Sequence, residues 1–174
     1  MRRLRSLLFA SGFVGLAALG ACAPTTGALP GPAPAARAVF NVDDFAWSAA
    51  QGSAAIEGRV TFRQNGRAYD CTGSVGLTPD TPYTRARFQT LYGSTERAAL
   101  PESVVRARTV PDPNADYRRY VRSATCDGGQ FRIEGLPNGS WFVIVPVSAA
   151  GSEDRVVLMR RVQTVGGRTA QVTL

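Results

Sequence analysis

The chain is 174 residues long, 44% hydrophobic and 19% charged, with a formal net charge of +7. It contains no histidine, which excludes Ser-His-Asp and Cys-His catalysis, histidine-based zinc sites and the commonest general base at neutral pH. All 20 basic residues are arginine, a bias that reflects GC-rich coding and carries no functional reading by itself. The first segment has three zones: Arg2, Arg3 and Arg5, an apolar run from Leu7 to Leu19 broken only by Ser11, Gly12 and Gly15, then Gly20-Ala21-Cys22. That order is the pattern of a secretory signal peptide. The apolar run is shorter than the roughly 20 residues a membrane-spanning helix needs.

Leu19-Gly20-Ala21-Cys22 resembles the lipobox of bacterial lipoproteins. The resemblance implies cleavage after residue 21, acylation of Cys22 and anchoring to a membrane through that lipid. Aspartate directly after the cysteine commonly marks inner-membrane retention in these lipoproteins, and here the position is Ala23, so an outer-membrane location is expected. An ordinary small-residue cleavage site across Ala21-Cys22-Ala23 is the alternative. Residues 22–37 are rich in Pro, Ala, Gly and Thr and form a flexible tether. Residues 38–174 then make one domain, long enough for a core of its own.

Within that domain, period-two alternation recurs and helical spacing is scarce, which predicts an all-β fold. Ile56, Gly58, Val60 and Phe62 fall on one face, with Glu57, Arg59, Thr61 and Arg63 on the other. Gln64-Asn65-Gly66 supplies a hairpin turn. The return strand carries Tyr69, Cys71, Gly73, Val75 and Leu77 inward, with Asp70, Thr72 and Ser74 outward, and ends at Pro79. Residues 80–119 are irregular, with Pro82, Pro101, Pro111 and Pro113 and a short alternation Phe88/Thr90/Tyr92. One further strand and a long excursion are expected there, either a functional loop or an insertion packed over the sandwich. Later strands are expected at 120–126 and, after the Asp127-Gly128-Gly129 turn, at 130–134. The near-continuous apolar run 140–148 follows, and Gly166-Gly167 is expected to join strands 155–165 and 168–174 as a two-residue hairpin. About seven strands with these turns predict a Greek-key β-sandwich.

Cys71 and Cys126 are the remaining thiols of an exported chain, so a disulfide between them is predicted, worth on the order of 4 kcal/mol for a loop of this length. A metal site of Asp70, Cys71, Cys126 and Asp127 is the weaker alternative. No Gly-rich phosphate loop or nucleophile elbow is present, and no carboxylate pair stands out. No catalytic residue, metal or cofactor is assigned. Eight arginines (85, 87, 97, 106, 108, 118, 119, 122) lie among only four acids, Glu96, Glu102, Asp112 and Asp116. They are either a solvated loop region or an anion-binding surface. On the second reading Arg118, Arg119, Arg122 and Tyr120 are the candidate ligand residues, with Tyr83, Tyr92 and Tyr117 nearby. Trp141 and Tyr120 are either core aromatics or sugar-stacking platforms.

Asp127-Gly-Gly-Gln-Phe131-Arg-Ile-Glu-Gly135-Leu-Pro-Asn-Gly139-Ser-Trp141-Phe-Val resembles the D-x-x-G-x-F-x-F-x-x-L-P-x-G-x-Y-x-V signature of carboxypeptidase regulatory-like domains. Ile56-Glu-Gly58-Arg-Val60 and Val75-Gly-Leu77-Thr-Pro79 are similar to that family's I-x-G-x-V and V-x-L-x-P strands. The resemblance covers about 55–79 and 120–174. It implies a transthyretin-like (prealbumin-like) sandwich without catalytic residues. Trp141 in place of the usual tyrosine and the long 83–119 region depart from it. The function expected is a non-enzymatic envelope lipoprotein, held to the membrane through Cys22, whose sandwich mediates protein interaction or structural support with an envelope protein partner. A module binding envelope glycan or phosphorylated lipid is the alternative, and a carboxylate hydrolase the third. No nucleic-acid partner is expected.

Overall fold

The computed structural model describes residues 38–71, 73–110 and 116–174. The expected signal peptide, the expected lipidation site Cys22 and the expected tether, together with Thr72 and residues 111–115, lie outside them. The described chain opens with a 3-10 turn, Val42–Phe45, capped by the Asn41 side chain, and a single helical turn, α1 (Ala46–Ala49). Strands β1 (Ala54–Arg59), β2 (Arg63–Gln64), β3 (Arg67–Cys71) and β4 (Ser74–Pro79) follow. Then come helix α2 (Pro82–Tyr92), β5 (Arg97–Pro101), helix α3 (Glu102–Ala107) and a 3-10 turn, Asp116–Tyr120. The chain continues as β6 (Arg122–Thr125), β7 (Gln130–Leu136), β8 (Gly139–Ala149), β9 (Arg155–Thr164) and β10 (Thr169–Thr173).

The ten strands form two sheets packed as a sandwich. The smaller has the order β10-β1-β7, with β1 parallel to β10 and antiparallel to β7. The larger is built around β8, which pairs with β9 on one edge, and β9 in turn with β5. On the other edge, β4 pairs with the first half of β8 (Pro79 opposite Trp141) and β3 with its last residues (Tyr69 opposite Ala149). The expected single return strand is thus two strands along one neighbour, broken at Gly73, whose φ of 96° is open to glycine at little cost. The chain crosses between sheets after β1, β6, β7 and β9.

Between the sheets lies the main core: Ile56, Phe131, Ile133, Leu136 and Val172 from the smaller, and Val75, Leu77, Trp141, Val143, Val145, Val147, Val156 and Leu158 from the larger. The larger sheet is covered on its other face as well. Phe142, Val157 and Met159 pack there against Phe88 and Tyr92 of α2. A strand buried on both faces must be apolar throughout, which explains the unbroken hydrophobic run in β8.

The structure corrects the sequence reading at three places. First, the Phe88/Thr90/Tyr92 alternation belongs to a helix, and the pair that matters is Phe88 and Tyr92 at i and i+4. Thr81 and Thr84 form a capping box, Pro82 opens the helix, and Gly93 (φ 72°) ends it in the left-handed conformation. Second, the 80–119 region holds the one further strand expected, β5, but also two helices and a 3-10 turn that the sequence reading lacked. Third, Gly166-Gly167 does not make a hairpin. Both residues have positive φ (62° and 68°) and turn the chain out of the larger sheet, so that β10 pairs with β1 rather than β9. The Asp127-Gly128-Gly129 turn is as expected, closed by reciprocal 2.9 Å backbone bonds between Asp127 and Gln130.

Trp141 is fully buried, donates its indole N–H to Thr164 Oγ1 at 3.1 Å and meets the ring of Trp47 edge-on at 4.8 Å. It is a core residue. Cys71 and Cys126 form the expected disulfide, with Cα atoms 5.9 Å apart, joining the end of β3 to the end of β6 across 55 residues.

Two stability predictions follow from this packing. Gly58 faces the core beneath the Phe131 ring, where a Cβ would lie 1.9 Å from a ring carbon, while at Gly76 the nearest atom is 4.0 Å away. Urea denaturation is expected to show a loss of about 1–3 kcal/mol for Gly58→Ala and a change within about 0.5 kcal/mol for Gly76→Ala. Replacing both disulfide cysteines with serine is expected to lower stability by about 4 kcal/mol in the same assay; an unchanged midpoint would show that the bridge constrains nothing.

Candidate functional site

The arginines of 85–122 are mostly committed to internal contacts. Arg122 donates to three carbonyls, Gly135 at 3.1 Å, Ser48 at 2.9 Å and Ala50 at 3.2 Å, and lies over the Trp141 ring. Arg119 pairs with Asp116 at 3.2 Å and covers the Tyr120 ring, which also stacks on Phe45 at 4.9 Å. Arg118 is exposed. Arg85 is held by Asp80, Arg106 by Glu102, Arg108 by the Leu91 carbonyl, and Arg87 lies over Tyr117. Tyr83 and Tyr92 are buried, and Tyr83 packs with Phe40, Phe45, Tyr117 and Tyr120. The structure thus brings Arg119, Tyr120 and Arg122 onto one side of the N-terminal segment, chiefly as packing. Arg118 and the outer sides of Arg119 and Tyr120 are what a ligand would meet there.

Two polar clefts compete as a binding site. One, of about 520 Å³, lies over the outer face of the smaller sheet and includes Glu57, Arg59, Asp127, Arg132 and Gln171. Much of its polarity is already satisfied. Arg132 bridges Glu57 and Glu134, and Gln171 donates to Glu57 at 2.6 Å.

The other, of about 510 Å³, sits at the end of the sandwich where three separate segments meet. The β2–β3 hairpin contributes Gln64, Asn65 and Tyr69; Asn65 holds φ at 52° and is exposed. The β5–α3 junction contributes Glu102 and Arg106, paired through Arg106 Nε at 2.9 Å. The β8–β9 loop contributes Glu153 and Asp154, shaped by Ser152 Oγ accepting from Asp154 N at 3.1 Å, and the start of β9 contributes Arg155. The Tyr69 ring is half-buried, braced edge-on by Phe62 at 5.2 Å, and its hydroxyl donates to Gln64 Oε1 at 3.3 Å. Glu153 and Asp154 make no ion pair among the described residues. Two uncommitted carboxylates, two amides, guanidiniums and a braced aromatic edge form a lining suited to a polyhydroxylated ligand.

Of this cleft, sequence reasoning noted Gln64-Asn65 as a turn, Tyr69 as an inward residue, Arg106 and Glu102 within the arginine-rich region and Arg155 as the start of a strand, without bringing them together. Glu153 and Asp154 carry no local signal. Among the described residues no group of three or more Asp, Glu, Cys or His is placed to hold a metal ion, and Asp70, Cys71, Cys126 and Asp127 do not form one.

No family model matches the chain, and no curated protein matches it. Among solved structures, it is similar to a protein of Pseudomonas aeruginosa provisionally described as carbohydrate binding. The identity is 21% and the TM-score 0.53, over 79% of this chain and 97% of that one. At this identity the likeness is one of fold.

Burial pushes the Tyr92 phenol up to about 12, with the neighbouring Tyr117 adding to the rise. Between pH 10 and 12 the unfolded chain releases this proton while the folded chain keeps it. Stability conferred by the buried phenol is therefore complete below pH 10 and falls as pH rises toward 12, on the order of 2 kcal/mol in all. Denaturation midpoints measured across that range are expected to fall less steeply in Tyr92→Phe than in the parent.

Proposed function

We propose that the chain is a non-enzymatic glycan-binding module of the bacterial envelope, carried to the membrane on an acylated Cys22. The observation that carries this reading is the cleft at the β2–β3 end, where Glu153 and Asp154 present free carboxylates beside Tyr69, Gln64 and Asn65. Carboxylates and amides accept and donate to sugar hydroxyls, and an aromatic ring packs against the apolar face of a pyranose. The P. aeruginosa protein with the same fold, provisionally described as carbohydrate binding, supports it. The signal-peptide pattern, the lipobox and a disulfide suited to an oxidising compartment support the envelope location. The carboxypeptidase regulatory-like signature supports a module without catalysis of its own.

A second reading, a protein-interaction support, is favoured by one feature: β10 is an edge strand, its outer side paired with no strand among the described residues, and a partner segment can add to such an edge.

The test is a screen of the mature protein against immobilised envelope glycans, covering peptidoglycan fragments, lipopolysaccharide core and capsular polysaccharides. Retention of one glycan class is expected, with Glu153→Gln/Asp154→Asn weakening it at least ~10-fold at an unchanged melting temperature. Retention of none, or retention indifferent to that double substitution, would overturn the proposal.

A further inference from the structure

Along the open side of the sandwich, between β9 and β5 of the larger sheet and the end of β10 in the smaller, runs a second groove of about 370 Å³. Phe62, Leu158 and Leu174 line it, and all three also pack on the main core. Its polar side chains at the rim are chiefly Arg97 and Arg160.

These two arginines stand directly opposite each other in the antiparallel β5–β9 ladder. Directly opposed side chains leave a sheet on the same face with Cβ atoms about 5 Å apart, and like charges so placed repel. The face is the core-facing one. Along β9, Val156 and Leu158 alternate with Arg160 on that side, whereas Val157 and Met159 face α2. Two cations therefore end an apolar row at the mouth of an apolar groove.

Among the described residues no carboxylate pairs with them. Arg85, Arg106, Arg119, Arg132 and Arg161 each pair with a carboxylate. Arg97 and Arg160 have no carboxylate within 4.0 Å among the described residues, and the one hydrogen bond of the two side chains runs from Arg160 Nη1 to the Thr173 carbonyl at 3.1 Å.

We infer that this groove binds a single alkyl chain ending in a carboxylate, the chain lying along Phe62, Leu158 and Leu174 and the carboxylate bridging Arg97 and Arg160. The charge pattern selects the head. With Nη1 of Arg160 occupied, its Nε and Nη2 and the guanidinium of Arg97 remain as donors, enough for each arginine to take one of the two oxygens of a carboxylate. The size selects the tail, because the groove stands near the lower end of ligand-pocket volumes and accepts one chain rather than two. The groove shares no lining residue with the glycan cleft, though Phe62, which lines it, also braces Tyr69 of that cleft.

The experiment is isothermal titration calorimetry of laurate into the mature chain in detergent-free buffer, with Cys22→Ser to keep any anchor lipid from competing. Dodecanol, dodecyl phosphate and dodecyltrimethylammonium serve as head-group controls. Saturable one-to-one binding of laurate is expected, weakened by salt, with dodecanol and the ammonium at least ~10-fold weaker. Arg97→Gln removes no hydrogen bond of the described structure and is expected to cost a similar factor while leaving the melting temperature unchanged. Equal binding of laurate and dodecanol, or of parent and Arg97→Gln, would overturn the inference. Tighter binding of dodecyl phosphate than of laurate would overturn the choice of head. If Arg97→Gln instead drives self-association with laurate binding unaltered, the arginines are charges that guard a sheet edge, and the inference fails.

Discussion

The carboxylate of Asp80 is fully buried, and much of the architecture is anchored to it. Arg85 of α2 grips it with two nitrogens, Nε to Oδ1 at 3.0 Å and Nη2 to Oδ2 at 2.9 Å, and Arg161 of β9 reaches Oδ2 at 2.6 Å. A lone buried carboxylate would be strongly unfavourable, and it is tolerated only because two guanidiniums meet it with good geometry. Asp80 follows β4 directly, and its backbone N–H donates to Ser140 at the start of β8. Arg161 extends to Glu96 just before β5. One side chain thus fixes the end of β4, the first turn of α2 and the middle of β9 relative to one another. With α2 seated on the larger sheet, both faces of that sheet are dry, and the double-sided apolarity of β8 and β9 follows.

Arginine serves this fold more as an internal brace than as surface charge. Arg122 ties three carbonyls of the α1 and β7 regions, Arg108 caps the end of α2 through the Leu91 carbonyl, and Arg160 reaches across to β10. The planar five-donor guanidinium suits such multi-carbonyl contacts, which lysine, a compact point charge, does not reproduce. A run of arginines in the sequence therefore looks like an anion-binding surface while most of its members, exposed or half-buried, are held by the protein's own oxygens. Arg97 and Arg160 differ from the rest in facing each other.

What was legible in the sequence was whatever local chemistry decides. The alternation at Ile56/Gly58, the Asp127-Gly-Gly turn, the apolar run of β8 and the pairing of Cys71 with Cys126 each depend on neighbours in sequence or on a count of two thiols. Helix α2 was not legible because its two buried aromatics, Phe88 and Tyr92, flank Thr90 and imitate a strand; the cap at Thr81-Pro82 and the stop at Gly93 were the better signals. Gly166-Gly167 has the chemistry of a hairpin turn, and only tertiary pairing with β1 decides otherwise. The cleft was beyond reach for a different reason: Gln64, Glu102 and Asp154 come from three unremarkable segments, and the fold alone brings them together.

The parallel pairing of β10 with β1 has a consequence for how the chain matures. Ala55 lies against Thr169, so the smaller sheet closes only after nearly the whole domain has been synthesised. Contacts so distant along the chain must overcome the entropy of loop closure before they return any stability, which slows folding. The smaller sheet is therefore the last part of the sandwich that can form, and without β10 one side of β1 is left a bare edge.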